Sequence, residues 1–302
     1  NIVASGSDYG VIDASANGAL IVGNVGDIEG NAIDGIIIGA GKTVNIQDGN
    51  VHTSSVTFND TDSVFELSGD VDTTIIVAQA INPATALSQG SFTVGGAADR
   101  TIKANFGTDA NAFANFNLGG TGVNTFALEK GAQYFTKLTF VGATSSAATF
   151  AAGANVTNEV EFTAADQVLT FGGDSTLTGG INFAAKASLL VLDSSDKNST
   201  FTGAISTTTN KTGALEIEGE NLFTVASTVG SNGHALSSVT VADDANAAFS
   251  SSIYAQDITV GSGSAKFGGD VNGAITLNSG TITVADEVDI NGTIGSESKA
   301  GY

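Results

Sequence analysis

The sequence predicts an all-β fold, a right-handed parallel β-helix in which short strands stack turn upon turn. Three observations predict it. A three-residue segment, in which two large apolar residues flank one small or polar residue, recurs at a near-constant interval, and we call this segment a phrase. Gly, Asn and Asp separate the phrases, and no segment of helix length carries apolar residues at the helical period. The clearest phrases, at 239–241 (Val-Thr-Val), 258–260 (Ile-Thr-Val) and 275–277 (Ile-Thr-Leu), begin 19 and then 17 residues apart. One such turn buries too little apolar surface to offset its loss of backbone entropy, so the turns must stack.

The same phrase occurs earlier in the chain at slightly longer intervals. The phrases at 138–140, 160–162 and 181–183 begin 22 and then 21 residues apart, and 215–217 precedes 239–241 by 24 residues. A sandwich or barrel would instead need hairpin turns every roughly 8–12 residues. The longer recurrence therefore favours a β-helix over these alternatives.

The N-terminal part has strand phrases separated by explicit turn sequences, such as 48–50 (Asp-Gly-Asn). Such residues tolerate left-handed backbone or form Asx turns. A less regular section runs from about 78 to 136 and contains Pro83 and Arg100, the only proline and the only arginine. We expect longer loops there. No composition break marks a domain boundary, so the sequence predicts a single solenoid over 1–302.

Helical signals are weak along the whole chain, because no segment of helix length carries an apolar stripe with the helical period. The segment 111–118 fits either one helical turn or a strand, and we favour the strand. The phrases also predict which side chains face the core and which face outward. The residues expected to be buried are Val160, Phe162, Phe171, Ile181, Phe183, Val241, Val260 and Leu277. Those expected to face outward are Glu161, Asn182 and Asp257.

Charge and composition exclude several classes of function. The chain has 31 Asp and Glu against 10 Lys and Arg, a formal net charge of −21. Nucleic-acid binding needs clustered cations, so nucleic acid is not an expected partner. The absence of cysteine excludes disulfides and thiolate metal sites, and no apolar run is long enough to insert this segment in a membrane. Because methionine is also absent, we expect the chain to be a piece of a longer protein.

An enzyme of the β-helical, polysaccharide-acting class is the least favoured function. Such enzymes place acidic clusters on one face, usually with Arg or Lys to neutralise a sugar acid. This chain has acidic pairs but a single arginine and scattered lysines. We therefore predict a non-enzymatic protein with no catalytic residues and no cofactor.

Acidic residues in the turns are the candidate metal ligands, because carboxylate and carbonyl oxygens suit Ca²⁺. We expect weak Ca²⁺ binding that relieves repulsion between neighbouring carboxylates, although the same residues could serve only to solubilise the chain. The candidate residues form three pairs that are close in sequence: Asp60 and Asp62, Asp193 and Asp196, and Asp243 and Asp244.

The segments 212–219, 225–230 and 235–241 resemble a passenger repeat of bacterial autotransporters, and in style the large rickettsial outer-membrane surface antigens. The resemblance implies a secreted β-helical passenger domain, displayed outside the cell on a Gram-negative surface and serving as an adhesin or surface coat. The implied partner is a host-surface or matrix protein. The alternative is a self-assembling subunit of a surface layer or extracellular fibre, whose partners are copies of itself.

Overall fold

Parallel β-strands stacked in successive turns make up the described part of the chain. These residues form two compact units, Asn1–Asn158 (unit 1) and Glu159–Tyr302 (unit 2), each a β-solenoid. The described residues contain no α-helix, and so none long and apolar enough to cross a membrane. The all-β, parallel β-helix prediction is confirmed. The computed structural model describes residues 2, 10–27, 31–83, 89–108, 111–119, 125–129, 133–140, 146–150, 154–172 and 175–296.

Unit 1 has two parallel sheets, and each turn contributes one strand to each of them. Odd-numbered strands pair in chain order in one sheet and even-numbered strands in the other. The strands are β1 Val11–Ala14, β2 Ala19–Val22, β3 Ile33–Ile38, β4 Thr43–Gln47, β5 Val51–Phe58, β6 Val64–Ser68, β7 Thr73–Pro83, β8 Gln89–Val94, β9 Arg100–Lys103, β10 Phe113–Leu118, β11 Thr125–Leu128, β12 Gln133–Phe140, β13 Ala147–Phe150 and β14 Ala154–Val156.

Unit 2 has three parallel ladders. They run β16-β19-β22-β24-β26-β28-β30, β15-β18-β21 and β20-β23-β25-β27-β29. The strands are β15 Val160–Phe162, β16 Val168–Gly172, β17 Thr176–Leu177, β18 Ile181–Asn182, β19 Leu189–Asp193, β20 Ser199–Phe201, β21 Ile205–Ser206, β22 Ala214–Glu218, β23 Leu222–Val225, β24 Leu236–Val241, β25 Asn246–Phe249, β26 Ile253–Val260, β27 Ser264–Phe267, β28 Val271–Leu277, β29 Thr281–Val284 and β30 Ile294–Ser296.

The pairing register of unit 2 follows the repeated phrase. Leu215, which begins one phrase, pairs with Val239, which begins the next. Val239 pairs in turn with Ile258, and Ile258 pairs with Ile275. Because side chains alternate along a strand, the apolar residues of each phrase form inward columns, and the middle residue, such as Thr240, faces outward. The intervals between these phrases in the sequence are therefore confirmed as the lengths of successive turns.

The predicted core is largely confirmed. Seven of the eight residues expected inside are at most 1% exposed, whereas Leu277 is half-buried. Leu277 lies on strand β28, and β30 is the only described strand that pairs with it on its C-terminal side, so a single described turn covers it there. Of the residues expected to face outward, Glu161 and Asp257 are exposed and Asn182 is half-buried.

The section 78–136 contains ordered strands in its described residues. Strands β8 to β12 continue both sheets of unit 1, and Phe113–Leu118 is strand β10, which confirms the strand interpretation of 111–118. Phe106 and Phe116 are fully buried here, with ring centroids 5.1 Å apart. The expectation of long loops in this section falls partly outside the described residues, at 84–88, 109–110, 120–124 and 130–132.

Candidate functional site

The first predicted acidic pair, Asp60 and Asp62, lies in the corner after strand β5. The Asp60 carboxylate accepts hydrogen bonds from the Thr61 backbone N–H at 2.6 Å and from Thr61 Oγ1 at 3.1 Å. Its backbone N–H donates to Ser63 Oγ at 3.2 Å. Asp62 is exposed. Asp60 therefore stabilises its own turn, as Asx residues do in many turns.

The second pair, Asp193 and Asp196, lies at the end of strand β19 and in the corner that follows it. Asp193 ends strand β19, and its carboxylate accepts hydrogen bonds from Ser195 N–H at 2.8 Å and Ser195 Oγ at 2.6 Å. Asp196 is exposed in the following corner. The register partner of Asp193 on the next turn is Glu218. Asp193 is thus brought beside a carboxylate that the sequence analysis did not select.

The third pair, Asp243 and Asp244, binds the corner of the next turn. The Ser262 backbone N–H donates to Asp243 Oδ1 at 2.9 Å, and Ser262 Oγ donates to Asp244 Oδ1 at 3.0 Å. Asp244 adopts a positive φ of 60°, which Asp tolerates better than most residues. Both carboxylates therefore join successive turns.

Hydrogen bonds from corner to corner recur in both units. Asp99 N–H donates to Asp72 Oδ1 at 3.1 Å, and Thr125 N–H donates to Asp99 Oδ1 at 2.8 Å. These side-chain oxygens satisfy backbone donors at corners, where the regular ladder is interrupted. Much of the acidic and amide content of the turns is thus part of the scaffold. Other corner side chains that accept a backbone N–H of the following turn are Asn24, Asp48, Asn50, Asn198, Asn210 and Asp270.

The described residues include no group of three or more His, Cys, Asp or Glu side chains placed to hold a metal ion. The six candidate aspartates lie in three separate corners, and four of them hydrogen-bond within their own turn or to the next one. Weak Ca²⁺ binding at these corners stays a prediction.

Three carboxylates meet on the outward face of unit 2. Glu216 and Glu218 are two residues apart on strand β22, and Asp193 lies opposite Glu218 on strand β19. Burial raises the pKa of Glu218, and the charges of Glu216 and Asp193 add to that effect. The alternation Leu-Glu-Ile-Glu at 215–218 signals two outward carboxylates, but their approach to Asp193 depends on the pairing register of that turn.

The raised pKa of Glu218 predicts a pH-dependent gain from the variant Glu218→Gln. Ionisation of Glu218 is less favourable in the folded chain than in the unfolded chain, so its penalty is absent below the ordinary pKa of 4.5 and develops as pH rises. At pH 7 the variant should gain a few tenths to about 1 kcal/mol, allowing for solvent screening. Thermal melts should show this gain shrinking toward pH 3. The exposed Glu220→Gln is the matched control, and an equal gain for both variants would contradict the prediction.

A shallow groove of about 360 Å³ lies at the N-terminal ends of the same strands, two residues before Glu216 on β22 and four residues before Asp193 on β19 and Glu218 on β22. Its floor includes Val168, Leu189 and Ala214, which are register partners on three successive strands, and Asp166 and Ser237 also line it. The next outward row along the strands carries Glu216. We call this surface, the groove with the three carboxylates, the acidic groove. Chemically, it suits an apolar segment that carries a basic group.

Comparison with known proteins finds no match: no family model matches the chain, and no curated protein or solved structure matches it significantly.

Proposed function

We propose that this chain is a non-enzymatic β-helical passenger, secreted and displayed on a Gram-negative cell surface, where it binds a host-surface or matrix protein. The observation that carries the proposal is the acidic groove, an outward-facing apolar surface with carboxylates on a repetitive scaffold. Many corner carboxylates and amides, by contrast, hydrogen-bond to backbone groups of the scaffold. The autotransporter resemblance of 212–241 supports the same function.

The partner chemistry follows from charge. Three carboxylates on the strands that line the groove attract a basic segment, and the formal net charge of −21 adds a long-range field that favours cationic partners. We therefore expect the acidic groove to bind an extended segment in which Lys or Arg alternates with apolar residues. Such a contact should weaken as salt rises.

Binding to a panel of purified matrix proteins, measured by biolayer interferometry, tests this proposal. We expect saturable binding to at least one basic matrix protein, weakened about tenfold by Glu216→Lys, the equivalent of about 1.4 kcal/mol. The exposed Glu220→Lys makes the same charge change outside the acidic groove and should have little effect. Antibodies against the chain should also label intact cells of the source bacterium. Failure to label them, or release of sugar from polysaccharides by the chain, would overturn the proposal.

A self-assembling subunit is the second candidate, favoured by two exposed apolar residues on strands β29 and β30. Val284 and Ile294 are 37% and 52% exposed, although their ladder partners Phe267 and Ile275 are 0% and 1% exposed. No further described strand pairs with β29 or β30. Exposed strand edges of this kind can template pairing with another chain. Concentration-dependent association in sedimentation velocity, abolished by Val284→Asp, would favour the subunit over the binder.

A further inference from the structure

The only arginine of the chain is buried in a corner of unit 1. Arg100, at the start of strand β9, is 1% exposed. Its Nη1 donates to the carbonyl oxygens of Val71 at 2.8 Å and Asp99 at 3.2 Å. Its Nη2 donates to the carbonyl oxygens of Gly69 at 3.0 Å and Gly95 at 3.3 Å. One guanidinium group therefore gathers four backbone carbonyls from the corners after β6 and β8. We call this arrangement the arginine corner.

The charges of four carboxylates act on the arginine corner. Burial lowers the pKa of Arg100, and the charges of Asp72, Asp48, Asp70 and Asp99 partly offset that effect. Three of these carboxylates accept a backbone N–H from the following turn: Asp48 from Asp70 at 2.8 Å, Asp72 from Asp99 at 3.1 Å and Asp99 from Thr125 at 2.8 Å. Without a cation these negative groups would repel one another across neighbouring turns.

The oxygen atoms around Arg100 are of the kinds that cation sites use as ligands. Backbone carbonyls and carboxylates are the ligands that hard cations select. The backbone is also close-packed there, because a β-carbon built on Gly96 would overlap the carbonyl of Gly69 and approach Arg100 Nη2 to 3.1 Å. Glycine at this position lets the two corners close around the positive charge.

Arginine suits this position better than lysine. A guanidinium group offers five N–H donors in a fixed plane, whereas an ammonium group offers three around one atom. Four of the contacts described above use the two terminal nitrogens of Arg100, and Nε has no hydrogen-bond partner. Holding four carbonyls from two turns requires the wider, planar cation.

We propose that the arginine corner is a cation-binding site that the chain fills with its own guanidinium group. The side chain takes the place of a metal ion or other small cation and neutralises the carboxylates of successive turns. Unit 1 then needs no Ca²⁺ at this corner. Removing the side chain leaves an oxygen-lined cavity that a free cation enters.

Thermal melts of Arg100→Ala test the proposal, with ethylguanidinium chloride and CaCl₂ as separate probes at millimolar concentration and ionic strength matched with NaCl. We expect the variant to lose roughly 10 °C in Tm, and at least one probe to recover a third or more of that loss. The matched control is Lys103→Ala, which removes a cation from the same strand but at an exposed ion pair with Glu129. The control and the unaltered chain should not respond to either probe.

Three results would overturn the proposal: an unchanged Tm for Arg100→Ala, no recovery with either probe, or equal stabilisation of the control. If Arg100→Ala does not accumulate as folded protein, Arg100→Lys carries the test. It keeps the charge but not the planar set of donors. We expect Arg100→Lys to fold with a lower Tm. Amide exchange at residues 70–72 and 96–99 should be at least about tenfold faster, which corresponds to a free energy of local opening lower by about 1.4 kcal/mol. Exchange and Tm equal to those of the unaltered chain would refute the cation site.

Discussion

Replacing Phe116 by alanine should lower the free energy of unfolding by about 4 kcal/mol, the middle of the range for buried aromatic truncations. Phe116 is fully buried on strand β10. Its ring stacks on Phe92 and Phe135, with centroids 5.2 and 4.6 Å away, and meets Phe106 and Phe150 at 5.1 and 6.3 Å. Truncation leaves a cavity between successive turns and removes aromatic contacts beyond the lost apolar area. Urea unfolding followed by circular dichroism measures the change.

Two control variants in unit 1 separate packing from general loss of apolar surface. Phe116→Leu keeps most of the volume and should cost much less than the alanine variant. Leu20→Ala removes a large apolar side chain that is 65% exposed, so it should change stability by less than about 0.5 kcal/mol. A Phe116→Ala variant as stable as Leu20→Ala would show that the aromatic cluster is not a rigid core.

The contacts among the buried phenylalanine rings around Phe116 could not be predicted from the sequence. In unit 2 the sequence alone indicates which phrases pair, because the interval between successive phrases is short and each phrase has the same residue types. In unit 1 the turns differ in length: the turn that pairs Ile33 with Thr53 is several residues shorter than the turn that pairs Thr74 with Thr101. Variable corners hide the period, although the strands between them still stack in register. Apolar alternation predicted the strands, but which rings meet depends on corner lengths that no local pattern sets.

The sequence correctly predicts that the candidate acidic residues lie at turns, but it does not predict the hydrogen bonds that they accept there. Asp243 and Asp244 stood out as a possible cation pair, yet both accept hydrogen bonds from Ser262 of the next turn. Asp193 is close to Asp196 in the sequence, whereas the strand register sets Asp193 opposite Glu218. Local spacing identifies turns, and the register between turns then decides which acidic groups meet.

Replacing Gly219 by alanine should cost about 3–5 kcal/mol, because two penalties act at one corner. Gly219 follows strand β22 with φ of 89°, a conformation that L side chains rarely adopt. A β-carbon there would also overlap the backbone of Ser194 and Ser195 on the preceding turn. The turn that contains Ser194 and Ser195 cannot move away from the added β-carbon without breaking the hydrogen bond from Ser194 N–H to the Glu218 carbonyl, at 3.0 Å.

The glycine at 233 separates these two penalties. Gly233 has a similar φ of 84°, but a β-carbon on it would meet nothing within 4 Å. Gly233→Ala should therefore show only the conformational cost of about 1–2 kcal/mol. The difference between the two variants in urea unfolding measures how tightly one turn is pressed onto the next. Equal losses would mean that turns separate easily at this corner, and that strand pairing and the apolar core, rather than corner packing, hold the solenoid together.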